Sequence, residues 1–274
     1  MGWGSLLVTG IAVSCAGWGS VATASAAPAC QLQAAGSGRV TAVTDGRSFV
    51  IDDGRDIRLA AIEVPHMPAP GETGFRAATG LAAREALEMM VLGQQVALRR
   101  QGEAATDRYG RTMAFAFVTQ GSVERSVVHD LLGQGLARVG TAAGERACIR
   151  ELLAQERAAR DGKLGLWGEP GYWLMGAESG AALLAERGQF TLVEGKVLSV
   201  RESGGTIYMN FGRRWSEALT VTIPKRQERT FLAAGIAPKQ LENRRVRVRG
   251  WIEERNGPRI EALRPDQIEV AERN

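Results

Sequence analysis

The sequence predicts an α+β protein, mainly β, that contains two small β-barrel domains. Short β-rich runs separated by hairpin-turn signals occupy the first part of the chain, and segments of helical periodicity are inserted between them. A second set of short β-rich runs follows after about residue 189. With 274 residues the chain is long enough for two small domains. We divide it into an export signal (1–26), a first barrel domain (30–168), a linker (169–188) and a second β domain (189–272).

The first 26 residues have the properties of an export signal. They contain no charged side chain, residues 6–13 are an apolar core, and Ala24-Ser25-Ala26 offers a small-residue cleavage site. The apolar run is short and interrupted by Gly and Ser, so we expect no membrane-spanning segment after the signal is removed. We predict an exported protein that resides in the periplasm or outside the cell.

Export determines how the three cysteines are interpreted. Cys15 would leave with the signal, and Cys30 and Cys148 would remain. Two cysteines in an oxidising compartment are more often paired than free, so we predict a disulfide between them. The alternative is a pair of unpaired buried thiols.

The first barrel domain begins with three predicted strands at residues 38–44, 48–51 and 57–64. Asp52-Asp53-Gly54 is a hairpin-turn signal between the second and third strands, and Pro65 ends the third. The three strands therefore form a meander.

Two more strands and three helices complete the first domain in the prediction. A helix over residues 75–92 carries one stripe that recurs every three or four residues. The stripe consists of Phe75, Ala78, Ala82, Ala86 and Met89. The remaining predicted elements are strands at 95–99 and 112–118 and helices at 127–132 and 145–160. Five strands in a meander-like order with inserted helices predict a five-stranded barrel of the oligonucleotide-binding (OB) type.

The second domain is predicted to be a small OB-like β unit. Strands are expected near residues 190–201, 206–212, 217–223, 244–254 and 258–270, with a helix at about 226–234. Asn256-Gly257 is a strong hairpin-turn signal between the last two strands.

Positive charge is concentrated in the second domain. Residues 1–180 contain 17 Lys+Arg and 18 Asp+Glu, whereas residues 181–274 contain 17 and 12. One predicted strand places Arg245, Arg247 and Arg249 on one face and also contains Trp251, with Tyr208, Phe211 and Trp215 elsewhere in the domain. Such a pattern suits single-stranded nucleic acid, and it also suits a solvated strand face over an aromatic core.

An ordered set of segments in the first domain resembles the staphylococcal nuclease (thermonuclease) family. No single segment is decisive, but together, over about residues 38–168, they are highly specific. The segments are V-T-D-G-R-S-F (43–49), R-L-A-A-I-E-V-P-H (58–66), D-R-Y-G-R (107–111), L-L-G-Q-G-L-A-R-V (131–139) and K-L-G-L-W (163–167).

The resemblance implies a nuclease-type OB barrel that cleaves DNA and RNA phosphodiesters with Ca²⁺, two arginines and a glutamate. Arg58 and Arg111 match the two arginines, and a guanidinium can bind phosphate oxygens in a fork. Arg108 and Tyr109 match positions beside the nucleotide, which implies a cation for phosphate and a ring for stacking. The alternative for each arginine is a surface ion pair.

The sequence departs from the family pattern at the metal and at the base. Asp45 and Glu63 match acidic positions around the Ca²⁺ site, but Arg47 replaces a further acidic ligand and His66 replaces the glutamate. Strict strand alternation would also place Arg58 and Glu63 on opposite faces, so their meeting requires a bulge or a strand end. We therefore expect a degraded Ca²⁺ site with retained phosphate affinity.

Three functions remain open from the sequence. The first is a nucleic-acid-binding protein with weak or absent Ca²⁺-dependent cleavage. The second is an active nuclease in which His66 is the base and Asp45 and Glu63 hold a different divalent metal. The third is a non-catalytic periplasmic scaffold for protein or cell-envelope partners.

Overall fold

The computed structural model describes residues 1–2, 30–103, 106–140, 146–168 and 174–271. Except for its first two residues, the predicted export signal lies outside the described residues, as do 169–173 of the predicted linker. Within the described ranges, no helix combines the length and apolarity needed to cross a membrane.

In its described residues, the first domain contains eight strands and three α-helices. They are β1 (Gln33–Asp45), β2 (Ser48–Ile51), β3 (Asp56–Leu59), β4 (Ile62–Glu63), α1 (Phe75–Val91), β5 (Gln95–Arg100), β6 (Thr112–Gln120), β7 (Val123–Ser126), α2 (Val127–Gly133), β8 (Arg138–Val139) and α3 (Arg146–Asp161).

Five of these strands close into the predicted barrel. The sheet order is β3-β2-β1-β5-β6-β7, and a parallel pairing of β3 with β6 joins the two ends of the five-stranded part. Alternate residues such as Phe49, Ile57, Leu59 and Leu98 fill the interior and are fully buried. The strand β7, which the sequence analysis missed, extends the sheet beyond the barrel because it forms a hairpin with β6.

The predicted third strand is broken in two. It ends at Leu59 and resumes at Ile62, and between them Ala61 adopts a left-handed conformation with φ of 69°. The second piece, β4, leaves the barrel sheet and pairs with β8, so that Glu63 lies opposite Arg138. This break supplies the irregularity that Arg58 and Glu63 need in order to face the same space.

Helix α1 is present, but of the predicted stripe only Ala86 lies on its buried face. Phe75 and Met89 are exposed, and the buried face includes the small residues Ala77, Gly80 and Ala83. Small side chains allow this helix to lie close to two loops of the barrel. A Cβ on Gly80 would lie 2.3 Å from the His66 carbonyl oxygen. The stripe was predicted from hydrophobicity alone. Hydrophobicity does not show where a small side chain is needed so that a helix can pack closely against a loop.

Cys30 and Cys148 form the predicted disulfide, which joins residues 118 positions apart. Cys148 lies near the start of α3. The bridge therefore ties the beginning of the described barrel chain to its last helix.

Over residues 174–271, the second domain contains nine strands and two α-helices. They are β9 (Leu174–Gly176), α4 (Gly180–Ala185), β10 (Phe190–Lys196), β11 (Ser199–Ser203), β12 (Thr206–Asn210), β13 (Thr220–Pro224), α5 (Glu228–Ala233), β14 (Arg245–Trp251), β15 (Glu253–Glu254), β16 (Pro258–Glu261) and β17 (Ile268–Val270).

These strands form two sheets around a second apolar core. One sheet has the order β17-β14-β10-β9 and the other the order β11-β12-β13-β16-β15. Three of the long predicted strands are split, at Val197–Leu198, at Ile252 and between Glu261 and Ile268. Part of the predicted linker belongs to the folded unit, because β9 pairs in parallel with β10 and α4 follows it.

A buried ionic cluster joins the two domains. The Arg249 guanidinium on β14 donates to Glu156 on α3 at 2.8 and 3.0 Å and to the Val139 carbonyl at 3.1 Å. Arg249 also pairs with Glu269, and Glu156 accepts the Val139 N–H at 2.6 Å. An apolar contact of Leu192 with Leu166 and Trp167 lies in the same interface region. The two domains are therefore held in one relative position next to β8 and the β4 strand that carries Glu63.

Candidate functional site

A polar cavity of about 270 Å³ lies where the two domains meet. The barrel contributes charged residues from its turns and strand ends, and the second domain contributes an aromatic wall. The lining includes Asp45, Arg47, Arg58, Glu63, His66, Arg76 and Arg138 from the barrel and Glu186, Gln189, Phe190, Thr191 and Trp251 from the second domain. Most of the first-domain site residues predicted from the sequence therefore line this one cavity. The cavity is also lined by residues that the sequence did not associate with the site.

Local backbone structure explains why the barrel residues converge. Asp45 and Arg47 flank the β1–β2 turn, where Gly46 packs against Ala83 of α1 with no room for a Cβ. Arg58 lies on β3 opposite Ser48 of β2. Glu63 reaches the same cavity because the break at Ala61 turns β4 away from the barrel sheet.

Arg47 lies between the two carboxylates that the family resemblance connects with a metal. Its Nη2 lies 2.6 Å from Glu63 Oε2, and its Nη1 donates to the Ile62 carbonyl oxygen at 2.6 Å. The Arg47 backbone N–H donates to Asp45 Oδ1 at 2.8 Å. The side chains of Arg47 and Glu63 are both mostly buried. Oxygen atoms of Glu63, Ile62 and Asp45 therefore already accept hydrogen bonds from a single arginine.

Arg58 is the cation of this cavity that is available to a ligand. It is partly exposed, and no residue in the described ranges forms a hydrogen bond or ion pair with its side chain. A guanidinium without a carboxylate partner beside a cavity can donate parallel hydrogen bonds to two phosphate oxygens.

Arg111 is held outside the cavity by its own loop. Its Nε and Nη2 both lie 2.7 Å from Asp107 Oδ2, and Asp107 Oδ1 accepts the backbone N–H groups of Tyr109 and Arg111. Burial opposes ionisation of Asp107, but these hydrogen bonds outweigh it and lower the pKa of the carboxyl group. Of the two arginines that match the family, Arg111 is therefore paired, and Arg58 has no side-chain partner in the part of the chain that the structure describes.

Arg108 and Tyr109 form an exposed pair on the same loop. The Tyr109 ring is 67% exposed, and the guanidinium carbons of Arg108 and Arg111 lie 4.8 and 5.2 Å from its centroid. Gly110, with φ of 80°, supplies the turn that presents the ring. The ring is open to solvent and can stack on a base.

Asp56 is a charged residue of this region that the sequence analysis missed. Burial, with further contributions from Asp45 and Asp107, raises the pKa of its carboxyl group despite the opposing charge of Arg111. Its Oδ1 is buried without a hydrogen-bond partner among the described residues. The sequence feature that could have identified Asp56 is its position at the start of β3, directly after the predicted hairpin turn.

His66 lines the cavity from the loop after β4. Its side chain is 51% exposed, and Nε2 lies 3.6 Å from Glu72 Oε1. The packing of Gly80 against the His66 carbonyl holds this part of the loop against α1. His66 is thus brought to the same cavity as Arg58 and Glu63.

The second domain closes one side of the cavity. Phe190 and Trp251 contact each other edge to face at 5.9 Å, and the Arg138 guanidinium lies 5.2 Å from the Phe190 ring. At the rim, Arg76 of α1 forms two hydrogen bonds with Glu186, which follows α4. No local pattern in the sequence could have placed these residues here, because their position depends on how the domains pack.

The predicted arginine stripe on β14 is only partly accessible. Arg249 is 1% exposed and lies inside the interdomain cluster, so its assignment as a nucleic-acid contact is wrong. Arg245 and Arg247 both donate to Glu194, at 2.7 and 2.5 Å. Strand alternation correctly placed the three arginines on one face of β14. It could not show that the first domain covers the end of this face at Arg249. Trp251, at the end of the strand, faces the first-domain cavity instead.

Comparisons with known proteins agree with the geometry of the barrel. The family model described as "Staphylococcal nuclease homologue" matches residues 56–169, which include Arg58, Glu63, His66 and Arg111. The chain is also 32% identical over 139 residues to "Protein ParB" of Escherichia coli, a match that covers 48% of this chain and 73% of that protein. The closed five-stranded barrel and these two matches lead to one conclusion: the chain belongs to the staphylococcal nuclease homologue family.

Proposed function

We propose that this protein is an exported nucleic-acid-binding member of the family in which Ca²⁺-dependent cleavage is weak or absent. The observation that carries the proposal is the position of Arg47, whose guanidinium binds Glu63 in the cavity that Arg58 also lines. Among the described residues, Arg58 has no side-chain partner. The cavity therefore keeps a cation that can bind phosphate, while the Glu63 carboxylate of the same cavity is neutralised by Arg47.

The donor set around Arg47 does not fit Ca²⁺. This ion requires several oxygen ligands and net negative charge. Glu63 Oε2 and the Ile62 carbonyl accept hydrogen bonds from the Arg47 guanidinium, and Asp45 Oδ1 accepts one from the Arg47 backbone. No group of three or more His, Cys, Asp or Glu side chains in the described part of the chain could hold a metal ion. We therefore assign no step to a Ca²⁺ ion.

Phosphate binding can proceed through residues of this chain alone. Arg58 provides two parallel donors to a phosphate at the cavity, and Tyr109 provides an exposed ring on the neighbouring loop. Arg111 would contribute when a phosphate competes with Asp107 for its guanidinium. Unpaired bases are accessible to such a ring, so single-stranded nucleic acid is the expected ligand.

Export is part of the proposal. The charge-free apolar stretch at residues 6–13 supports it, and the Cys30–Cys148 disulfide is compatible with an oxidising compartment. A periplasmic or extracellular location would bring the protein into contact with free nucleic acid.

A second candidate is an active nuclease with His66 as general base. The observation that favours it is that His66, Glu63 and Arg58 line one cavity. This candidate requires a divalent ion that displaces Arg47 from Glu63, and it predicts that activity depends on which metal is supplied and disappears in His66→Ala.

The test measures binding and cleavage of nucleic acid by the mature protein with different metal ions. Binding of a labelled single-stranded oligonucleotide is measured by fluorescence anisotropy in EDTA, and cleavage is measured in Ca²⁺, Mg²⁺ and Mn²⁺. We expect binding in EDTA that weakens as salt rises, with little cleavage in Ca²⁺. Arg58→Ala should weaken binding about tenfold, in line with the loss of a charge-assisted contact.

Arg125→Ala is the matched control, because Arg125 is exposed, is paired with Asp130 and lies outside the cavity. Its binding should equal that of the unmodified protein. Efficient cleavage of single-stranded DNA in Ca²⁺ that stops in Arg58→Ala would overturn the proposal.

A further inference from the structure

We propose that the polar face of the sheet β11-β12-β13-β16-β15 is a second, independent binding site for single-stranded nucleic acid. The proposal goes beyond the function of the interdomain cavity, because none of the residues involved lines that cavity. We call this surface the sheet-face groove.

Strand register places a polar row across the middle of the sheet. Arg201 of β11 lies opposite Tyr208 of β12, which in turn lies opposite Thr222 of β13. Residues directly opposite each other in a sheet share a face, so these three side chains point the same way. The intervening residues Met209 and Val221 are fully buried in the domain core, and the polar row therefore lies on the outer face.

The row opens into an extended groove. Two cavities of about 700 and 590 Å³ adjoin on this face and share Arg201, Asn210 and Trp215 in their linings. Trp215 is 55% exposed, and its backbone packs against Gly257 of the predicted Asn256-Gly257 turn. An exposed indole ring thus stands at the junction of the two cavities, with the partly buried Tyr208 ring in one of them.

The groove has an excess of cations without partners. Arg201, Arg213 and Arg255 line it, and none of them forms a side-chain hydrogen bond or ion pair with the residues that the structure describes. The lining residue Glu202 is already neutralised by Lys225 at 2.7 Å. The fourth arginine, Arg259, is paired with Glu253. The balance is positive and complements a polyanion.

An unsatisfied polar atom also points to a ligand. The Thr222 hydroxyl is buried and has no hydrogen-bond partner among the described residues, although Thr222 lines the groove. Thr222 is only 2% exposed, so an unsatisfied hydroxyl there is costly unless a ligand or ordered water completes it. This is an independent indication that the groove accepts a polar group.

Rings and free guanidinium groups together select the ligand class. Base stacking on aromatic side chains and phosphate binding by arginine are the two contributions that hold single strands. An acidic peptide would use the arginines but not the rings. A duplex would hide its base faces from Trp215 and Tyr208. Single-stranded nucleic acid is therefore the class that uses the whole groove.

The experiment measures binding of fluorescein-labelled oligothymidylate of about 12 nucleotides by anisotropy, in EDTA and low salt. The full mature chain carries Arg58→Ala, so that the interdomain cavity contributes less. Trp215→Ala should weaken the remaining binding about tenfold, and Trp215→Phe should retain most of it because a ring remains. Arg201→Glu combined with Arg255→Glu should weaken it at least as much and reduce its salt dependence.

Arg229→Glu is the control, because Arg229 is an exposed residue of α5 outside the groove. The melting temperature of each variant checks that Trp215→Ala and the double variant are folded. Binding by these two variants equal to that of the control overturns the proposal. It is also overturned if polyglutamate competes as well as unlabelled oligothymidylate.

The two proposals can fail separately. Loss of binding in Arg58→Ala, with no effect of Trp215→Ala in the otherwise unmodified chain, would leave the interdomain cavity as the binding site and remove the groove. The reverse pattern would support the groove and remove the cavity.

Discussion

At the scale of single residues, Arg47 distinguishes this cavity from the family pattern. A guanidinium is always charged and binds carboxylate in a fork, so it can hold Glu63 and a backbone carbonyl at once. A dication in the same place would meet a fixed positive charge at short range. Arg47 and Glu63 therefore form an internal ion pair in this cavity, and we propose that this pair takes the place of a divalent metal.

We predict that Arg47→Asp creates Ca²⁺ affinity. The substitution frees Glu63 and adds a carboxylate next to it, and two close carboxylates repel each other until a cation binds. The variant should have a lower melting temperature than the unmodified protein in EDTA and should regain stability in millimolar Ca²⁺. Isothermal titration calorimetry and thermal melts measure both effects.

Arg47→Ala is the matched control for the metal prediction. It frees Glu63 but adds no ligand, so it should respond to Ca²⁺ less than Arg47→Asp. If the unmodified protein binds Ca²⁺ as strongly as Arg47→Asp, the ion pair with Glu63 does not exclude the metal and the prediction is wrong.

At the scale of elements, α1 acts as a support for two loops of the site. Gly80 lies against the His66 carbonyl, and Ala83 lies against Gly46 in the turn between Asp45 and Arg47. A large apolar side chain on this face would push both loops away from the cavity. The small residues of α1 therefore position the cavity, although they carry no chemistry themselves.

We predict that Gly80→Ala destabilises the protein by about 1–3 kcal/mol, the usual range for overpacking. Helix propensity alone would make Gly80→Ala stabilising, because Ala stabilises a helix interior relative to Gly by about 1 kcal/mol. The added Cβ would meet the His66 carbonyl oxygen at 2.3 Å, so the helix and the loop must separate. Urea unfolding and oligonucleotide binding report the two consequences.

Leu81→Ala provides the comparison within the same helix, because Leu81 is 40% exposed. It should change the free energy of unfolding by less than Gly80→Ala does. An increase in the free energy of unfolding for Gly80→Ala would contradict the prediction, because it would show that the His66 loop moves away from the helix without loss of stability.

At the scale of the whole molecule, the interdomain cluster keeps the aromatic wall over the cavity. Arg249 joins β14 to α3 and to the Val139 carbonyl on β8, and β8 pairs with the strand that carries Glu63. The same β14 strand ends at Trp251, which lines the cavity. Domain packing and cavity shape are therefore linked through one strand.

We predict that Arg249→Ala lowers the free energy of unfolding by about 3–5 kcal/mol, because it leaves Glu156 buried without its main partner. Arg245→Ala should cost about 1 kcal/mol or less, since that arginine is 57% exposed on the same strand. Denaturant unfolding of both variants tests the difference, and equal costs would contradict it.

Acid should weaken the same cluster. Burial opposes ionisation of Glu269, but the charges of Arg249 and Arg160 outweigh it and lower the pKa of the carboxyl group. A lowered carboxyl pKa stabilises the folded state above the ordinary value of 4.5, and this stability is lost as pH falls through the folded value. The stability gap between the unmodified protein and Arg249→Ala should therefore narrow below about pH 4.5, which unfolding at pH 7 and pH 3.5 can measure.

Much of this protein follows from its sequence alone. Hairpin signals, strand periodicity and the ordered family segments predict the five-stranded barrel, and the two cysteines that follow the predicted export signal predict the disulfide between Cys30 and Cys148. The resemblance also identified Arg58 as the phosphate-binding candidate and Arg47 as the residue in a ligand's place. These features can be predicted because they depend on the residue type at a position or on its neighbours along the chain, both of which the sequence shows directly.

The tertiary structure alone decided which of these residues meet. It placed Arg47 on Glu63, buried Arg249 between the domains, and brought Trp251 to the barrel cavity. It also placed Arg201 and Tyr208 on one face of another sheet near Trp215, whereas Arg249 of β14 is buried. Alternation along a strand determines which residues share a face, but whether solvent or another domain covers that face depends on contacts between distant parts of the chain.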